Sequence, residues 1–304
     1  MDLGMIGLGR MGANMAERLR RGGHRVVGYD PNPAAGADAA ARGIETVDAL
    51  PALPALAAAL PAPRALWLMV PAGPAVDATL EALRPSLAAD DVVIDGGNSH
   101  YGDSQRRAAA LAEDGIGWLD VGTSGGVWGL EAGYSLTIGG DAALAQRLAP
   151  LFATLAPSPD RGWGRVGPSG AGHFAKMVHN GIEYGLMQAF AEGFAILQRK
   201  REFELDLAQV ADIWRDASVI RSWLLDLAAE SLRGNPGLEG IAPHVADSGE
   251  GRWTVAEAIA LDVPAPVITQ SLIARLRSRD GDAFADRLLA ALRDAFGGHG
   301  VQRE

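Results

Sequence analysis

Between Gly172 and Gly185 the chain reads GHFAKMVHNGIEYG, and four of its side chains could carry proton chemistry or hold a polar ligand. An α-helix turns about 100° per residue, so about seven residues return it almost to the same angle. Lys176 and Glu183 therefore share one helix face, with His179 and Asn180 filling the turn between them. Solvated helix faces ordinarily mix redundant charges, whereas this one offers a base, an acid and two neutral hydrogen-bonding groups. Arginine serves almost everywhere else a cation is used: of 27 basic side chains, Lys176 and Lys200 alone are lysine. A guanidinium keeps its proton in a protein, while an ammonium can be brought by burial to give it up. A proton acceptor at this position therefore has to be lysine. Lys200, in QRKREFE, reads as exposed. On the opposing face Phe174, Met177, Val178, Ile182 and Leu186 read as core. Gly181 and Gly185 weaken a helix, which points to close packing there against a ring or another chain segment.

A second such stretch is GLGRMG, residues 7–12. Gly7, Gly9 and Gly12 form G-x-G-x-x-G between a strand-like run and a helical one, with Leu8, Arg10 and Met11 completing the loop. The first glycine permits a tight turn, the second a close approach to a pyrophosphate, and the third tight packing of helix on strand. The helix N-terminus then faces the phosphates. The next strand-like run ends at Asp30, at the spacing of an acid that takes ribose hydroxyls. A turn-forming aspartate before Pro31 is the plainer alternative. Like charges at ~4 Å repel by roughly 4 kcal/mol at an effective dielectric near 20. A tenfold preference needs only about 1.4 kcal/mol, and no arginine follows closely enough to hold a 2′-phosphate. NAD is the expected cofactor, with NADP possible.

The elements that must position these groups follow from the hydrophobic pattern. Residues 3–9, 24–30, 64–70, 91–97 and 117–122 read as strands, with helical stretches between them whose small residues face a sheet. Residues 134–140 add a strand of undetermined direction. Such β-α alternation predicts a doubly wound parallel sheet of Rossmann type, covered on both faces. Proline and glycine cluster at 156–172 and mark a boundary. Beyond it, helices are expected at roughly 171–200, 206–233, 254–262, 266–279 and 282–296, with no strand. The expected division is a dinucleotide-binding domain, 1–168, and an all-α domain, 169–304, for substrate and dimerisation.

Composition removes several function classes. The 304 residues are 48% hydrophobic and 21% charged, an ordinary globular balance. The absence of cysteine excludes disulfides, thiolate metal sites and cysteine nucleophiles. A net charge of −10 argues against nucleic acid or an anionic membrane as partner. The apolar runs are too short to span a bilayer, and the N-terminus shows no signal segment, so a cytoplasmic location is the expectation.

On these stretches, and on DGGNSHY (95–101), TSGG (123–126), GRWT (251–254) and RDAFGGH (293–299), the chain resembles the 6-phosphogluconate dehydrogenase family in its short form. The likeness covers nearly the whole length. It implies oxidation of a C3 hydroxyl in 6-phosphogluconate, loss of CO2, and protonation of an enediol to ribulose 5-phosphate, without a metal. Lys176 would be the general base and Glu183 the proton donor to C1 of the product. His179 and Asn180 would bind hydroxyl and carboxylate oxygens. Asn98 would lie between cofactor and sugar, and Ser124, Gly125 and Gly126 would meet the carboxylate. Val70, Pro71 and Ala72 would line the dinucleotide, although many relatives carry lysine where Pro71 stands. Tyr184 and Arg275 would grip the phosphate. Arg293 and His299 would reach into a neighbouring subunit's site, making the active site a shared one in a dimer or tetramer.

The loop SGEGRWT departs from the longer relatives' KGTGKWT, with Ser248 for lysine and Glu250 for threonine. A carboxylate beside a phosphate is costly, so this loop is expected to bend away or to use Arg252. The nearest rival reading is a dehydrogenase for a small non-phosphorylated acid such as 3-hydroxyisobutyrate. That enzyme would need neither Glu183, Tyr184, Arg275 nor the arginine–histidine tail. A dinucleotide-binding sensor without turnover is the rival from another class, and the altered 248–250 loop is its best support.

Overall fold

The computed structural model describes residues 1–47, 52–297 and 302. Its contacts divide the chain into two units, Met1–Asn180 and Gly181–Glu304.

Among its described residues the first unit holds one sheet of eight strands: β1 (Asp2–Ile6), β2 (Arg25–Tyr29), β3 (Glu45–Thr46), β4 (Ala65–Leu68), β5 (Val92–Asp95), β6 (Gly117–Ser124), β7 (Ser135–Gly140) and β8 (Trp163–Gly167). Their order is β3-β2-β1-β4-β5-β6-β7-β8, parallel from β3 through β6. From β1 the chain winds outward to β2 and β3, then crosses back to β4 on the other side. Loops leaving β1 and β4 therefore part at the carboxyl ends of neighbouring strands, where open α/β sheets bind their ligands. This is the doubly wound Rossmann-type sheet expected from the sequence.

Alternation along the strands feeds two cores. Leu3, Met5, Trp67 and Ile94 join one, packed on helix Arg10–Arg21 and helix Ala149–Leu155. Ile6, Leu66, Leu68 and Val93 join the other, beneath helices Pro74–Leu83 and Tyr101–Ala112. Each such side chain contributes about 1.5–3 kcal/mol when fully buried.

Several expectations need correction. β7, whose direction the sequence leaves open, runs antiparallel to β6, and β8, not expected as a strand, extends the sheet by pairing parallel to β7. β8 lies inside the proline- and glycine-rich stretch read as a boundary. As an edge strand it has no buried position, so WGRVG shows no alternation for a pattern to detect. The helix expected over 206–233 is two, Leu207–Arg215 and Trp223–Gly234. Ala217 takes a left-handed conformation between them, and the Ser222 side chain caps the second by accepting from the Leu225 N–H.

Helix Ala171–Arg199 is followed in the second unit by helices Leu207–Arg215, Trp223–Gly234, Glu250–Ala260, Pro266–Arg277 and Phe284–Gly297. The core there is small: Ala211, Leu225 and Ala229, with Phe190, Phe194 and Trp214 packed against them. Ile182 and Leu186, read as core, are 53% and 46% exposed. The unit has few layers to cover its apolar stripes, and Ile259, Val267, Phe284 and Leu289 are exposed as well. Among the described residues no helix is long and apolar enough to cross a membrane.

Candidate active site

The glycine loop joins β1 to helix Arg10–Arg21. Gly7 has φ +93°, and a Cβ there would sit 2.4 Å from the Met69 carbonyl oxygen. At Gly12 a Cβ would come within 1.9 Å of the Gly7 oxygen, so both positions exclude a side chain. Gly9 caps the helix without any side-chain hydrogen bond, and nothing lies within 4 Å of where its Cβ would be. Unsatisfied first-turn N–H groups thus face open space, which suits an anionic pyrophosphate. Leu8 is buried, while Arg10 is exposed and Met11 half-buried.

Asp30 closes this loop from β2. Its Oδ2 accepts the Leu8 N–H at 2.7 Å, and Oδ1 accepts the Asn32 N–H at 2.8 Å. The acid thus orders the glycine loop, and its bond to Asn32 makes the local turn that the plainer sequence alternative reads there. Val70 is half-buried, and Pro71, Ala72 and Asn98 are exposed at the ends of the loops after β4 and β5. Ser124 ends β6, and Gly125 and Gly126 begin the turn beyond it. That turn rests on Tyr134, whose ring a Cβ at Gly125 would meet at 2.9 Å. Burial pushes the Tyr134 hydroxyl up to about 12. The same turn is tied to helix Arg10–Arg21, because Asn14 donates to the Val127 carbonyl at 3.3 Å and Arg18 to that of Leu130 at 2.9 Å.

Helix Ala171–Arg199 starts on a buried carboxylate. Asp120 of β6 accepts the Gly170 N–H through Oδ1 at 2.6 Å and the His173 N–H through Oδ2 at 3.0 Å. An anion at a helix N-terminus is favourable, and two bonds to one carboxylate fix the phase of the helix. His173 is itself buried, its Nδ1 2.7 Å from Ser104 Oγ. One turn on, a Cβ at Gly122 would lie 2.4 Å from Lys176 Cβ and 2.8 Å from the Gly172 oxygen. Helix and sheet meet there backbone to backbone.

Lys176, His179 and Asn180 form one cluster. Lys176 Nζ donates to Asn180 Oδ1 at 2.8 Å and lies 3.4 Å from His179 Nδ1, which is 3.0 Å from the same oxygen. With the proton placed on Nδ1, amine and imidazole both donate to Asn180. Lys176 is half-buried and His179 exposed.

The second unit carries Glu183, half-buried, and Tyr184, 6% exposed. The Tyr184 ring is clasped between Gly251, where a Cβ would fall 2.5 Å from it, and the Arg275 guanidinium, 3.5 Å from its centroid. Arg275 also donates to the Ala246 carbonyl at 2.8 Å. The close packing read at Gly181 and Gly185 is against Thr254 and Val267 of this same unit. Arg252, one option for the altered loop, is bound to Asp247 at 3.0 and 3.2 Å, and Arg279 holds the same carboxylate at 2.5 Å. Glu250 turns inward: it is 2% exposed, accepts from Ser248 Oγ, and leaves Oε1 buried without a partner among the described residues. Arg293 is exposed on helix Phe284–Gly297. His299 lies outside the described residues.

Asp120 and Gly122 escape sequence reasoning. An aspartate inside a strand or a glycine in a buried run declares its role only once the element packed against it is known.

Sheet order, glycine loop and strand-end acid together define a Rossmann-type dinucleotide-binding fold. The family profile for the NAD binding domain of 6-phosphogluconate dehydrogenase matches residues 2–164, and that for its C-terminal domain matches 172–285. The chain is 48% identical over 305 residues to the NAD(+)-dependent, decarboxylating 6-phosphogluconate dehydrogenase of Haloferax volcanii, covering 100% of this chain and 99% of that one. It is 43% identical over 304 residues to YqeC of Bacillus subtilis, provisionally named a 6-phosphogluconate dehydrogenase, with both chains covered in full. The solved structure of Plasmodium falciparum 6-phosphogluconate dehydrogenase superposes with a TM-score of 0.84 at 26% identity, over 100% of this chain and 66% of that one. The chain belongs to the 6-phosphogluconate dehydrogenase family.

Proposed function

We propose that the chain oxidises and decarboxylates 6-phosphogluconate to ribulose 5-phosphate and CO2, with NAD preferred over NADP. The observation that carries this is the cluster of Lys176 with His179 and Asn180, Nζ 2.8 Å from Asn180 Oδ1, on the helix that also bears Glu183 and Tyr184. The Haloferax relative, named for NAD and for decarboxylation, supports it.

In this reading residues 1–168 bind the dinucleotide through Gly7–Gly12, Asp30, Val70, Pro71, Ala72 and Asn98. When bound, the dinucleotide supplies the acceptor for a hydride from C3. Lys176 takes the proton of the C3 hydroxyl as that hydride leaves. As the C1–C2 bond breaks and CO2 departs, Lys176 returns the proton to the C3 oxygen, and the bond's electron pair passes to C2 to form an enediol. Glu183 then gives a proton to that carbon, C1 of the product, while Lys176 takes back the proton of the C3 oxygen, leaving the ketone of ribulose 5-phosphate. His179, Asn180, Asn98 and the Ser124–Gly126 turn hold the hydroxyls and the carboxylate, positions that geometry can only fix if the helix is held rigid. Tyr184 and Arg275 hold the phosphate, and Glu250 stays folded away from it.

The chain works as a homodimer or tetramer, with Arg293 and His299 completing a neighbour's site. The many exposed apolar side chains of the helical unit support a second copy covering them. It is assigned to the cytoplasm and the pentose phosphate route. Steady-state kinetics with 6-phosphogluconate and 3-hydroxyisobutyrate, each against NAD and NADP, tests the reading. It expects NADH from 6-phosphogluconate; turnover of 3-hydroxyisobutyrate alone, or of neither acid, contradicts it.

A further inference from the structure

Arg107, on helix Tyr101–Ala112, is 2% exposed although it carries a full charge. Burying a guanidinium is costly unless its donors are used, and here they are. Nε and Nη2 form a fork on Asp77, at 2.9 Å to Oδ1 and 3.1 Å to Oδ2. Nη2 also donates to the Gly73 carbonyl at 3.0 Å. Nη1 donates to Ser99 Oγ at 3.3 Å and stands 3.6 Å from Asp95 Oδ2. Ser99 in turn donates to that oxygen at 2.7 Å, and Asp95 Oδ1 accepts the Gly97 N–H at 3.1 Å.

These partners belong to two loops. Gly73 follows Val70, Pro71 and Ala72 in the loop after β4, and Asp77 opens the helix beyond it. Asp95, Gly97 and Ser99 enclose Asn98 in the loop after β5. The loops also touch directly, since a Cβ at Gly97 would lie 3.1 Å from the Val70 oxygen. We infer that Arg107 is a positioning residue: it clamps both loops into one platform, so that Val70–Ala72 and Asn98 meet the dinucleotide together. The inference rests on the cofactor reading of those loops. Lysine could not replace it, because one ammonium cannot present a planar fork to Asp77 while reaching Gly73 and Ser99. The adjacent Arg106 is the natural control. It binds the same Asp77 at 3.0 and 3.2 Å but is exposed and reaches neither loop.

The test measures NADH binding by tryptophan fluorescence, and KM for NAD against kcat, in Arg107→Lys, Arg107→Met and Arg106→Ala, well below each variant's melting temperature. Both Arg107 variants are expected to raise KM for NAD and the NADH dissociation constant about tenfold or more, with a smaller change in kcat; Arg106→Ala stays within about twofold of the parent. A lowered melting temperature with unchanged dinucleotide affinity would mean a purely structural role and overturns the inference. Should neither Arg107 variant fold, Asp77→Asn, which keeps the Asp95–Arg107 pair, decides: a rise of about threefold is expected, and no rise overturns it. Failure of the unaltered protein to bind NADH would instead remove the cofactor reading itself, and the inference with it.

Discussion

Gly122 of β6 and Lys176 of helix Ala171–Arg199 stand so close that a methyl on the glycine would fall 2.4 Å from the lysine Cβ. The strand therefore sets how far the lysine projects. Gly122→Ala must push the helix outward, and overpacking of this kind costs about 1–3 kcal/mol. The expected result is a lowered melting temperature and a loss of at least about tenfold in kcat, with little change in NADH affinity. An unchanged kcat would show that the lysine does not depend on this contact.

Asp30 offers a second test. Asp30→Ala removes the acceptor of the Leu8 and Asn32 N–H groups as well as the charge. Hydrogen bonds to a charged group are worth about 1.5–3 kcal/mol, so KM for NAD should rise by about tenfold or more. The NADP-to-NAD ratio of kcat/KM should shift toward NADP by a similar factor. An unaltered ratio would mean that the carboxylate serves the loop alone.

At the other end, Arg275→Met should raise KM for 6-phosphogluconate by about tenfold to a hundredfold while KM for NAD stays put. Arg275→Lys keeps the charge but loses the flat stack on Tyr184, and should fall between. Equal KM values in all three proteins would remove Arg275 from the phosphate site.

Acid should loosen the second unit through Asp247. Hydrogen bonding from Arg252 first, and from Arg279 against the cost of burial, holds its carboxyl below the ordinary range. The folded state thus binds fewer protons than the unfolded one. The stability this adds is complete above about pH 4 and is lost as pH falls through the lowered value. Asp247→Asn should lower the urea midpoint at neutral pH and flatten its decline in acid. A variant with the parent's acid profile would contradict the assignment.

The doubly wound β-α sheet, the glycine loop and the strand-end acid are legible in the sequence because hydrophobic alternation and backbone sterics are local, whereas the two-residue strand β3 is too short to leave a pattern. So is the polar face of Lys176, His179 and Asn180, since helical spacing alone brings them together. β8 is not, because an edge strand buries too little to leave a pattern. The break between helices Leu207–Arg215 and Trp223–Gly234 hides in a run whose composition still favours helix. Arg107 and Asp120 are silent for a different reason: their partners lie about 30 and 50 residues away along the chain. Glu250 reads as a charge in a phosphate loop, and only packing shows it buried.

The most direct measurement follows NADH and CO2 together, from 6-phosphogluconate and NAD, in the unaltered protein and in Lys176→Arg. Equal amounts of both products are expected from the former. The arginine variant should bind NADH normally and yet form neither product above about a thousandth of the parent rate, since general-base assistance alone supplies roughly 10²–10⁴-fold. Substantial turnover in the arginine variant, or NADH without CO2 in the unaltered protein, would contradict a lysine that first takes and then returns the substrate's proton.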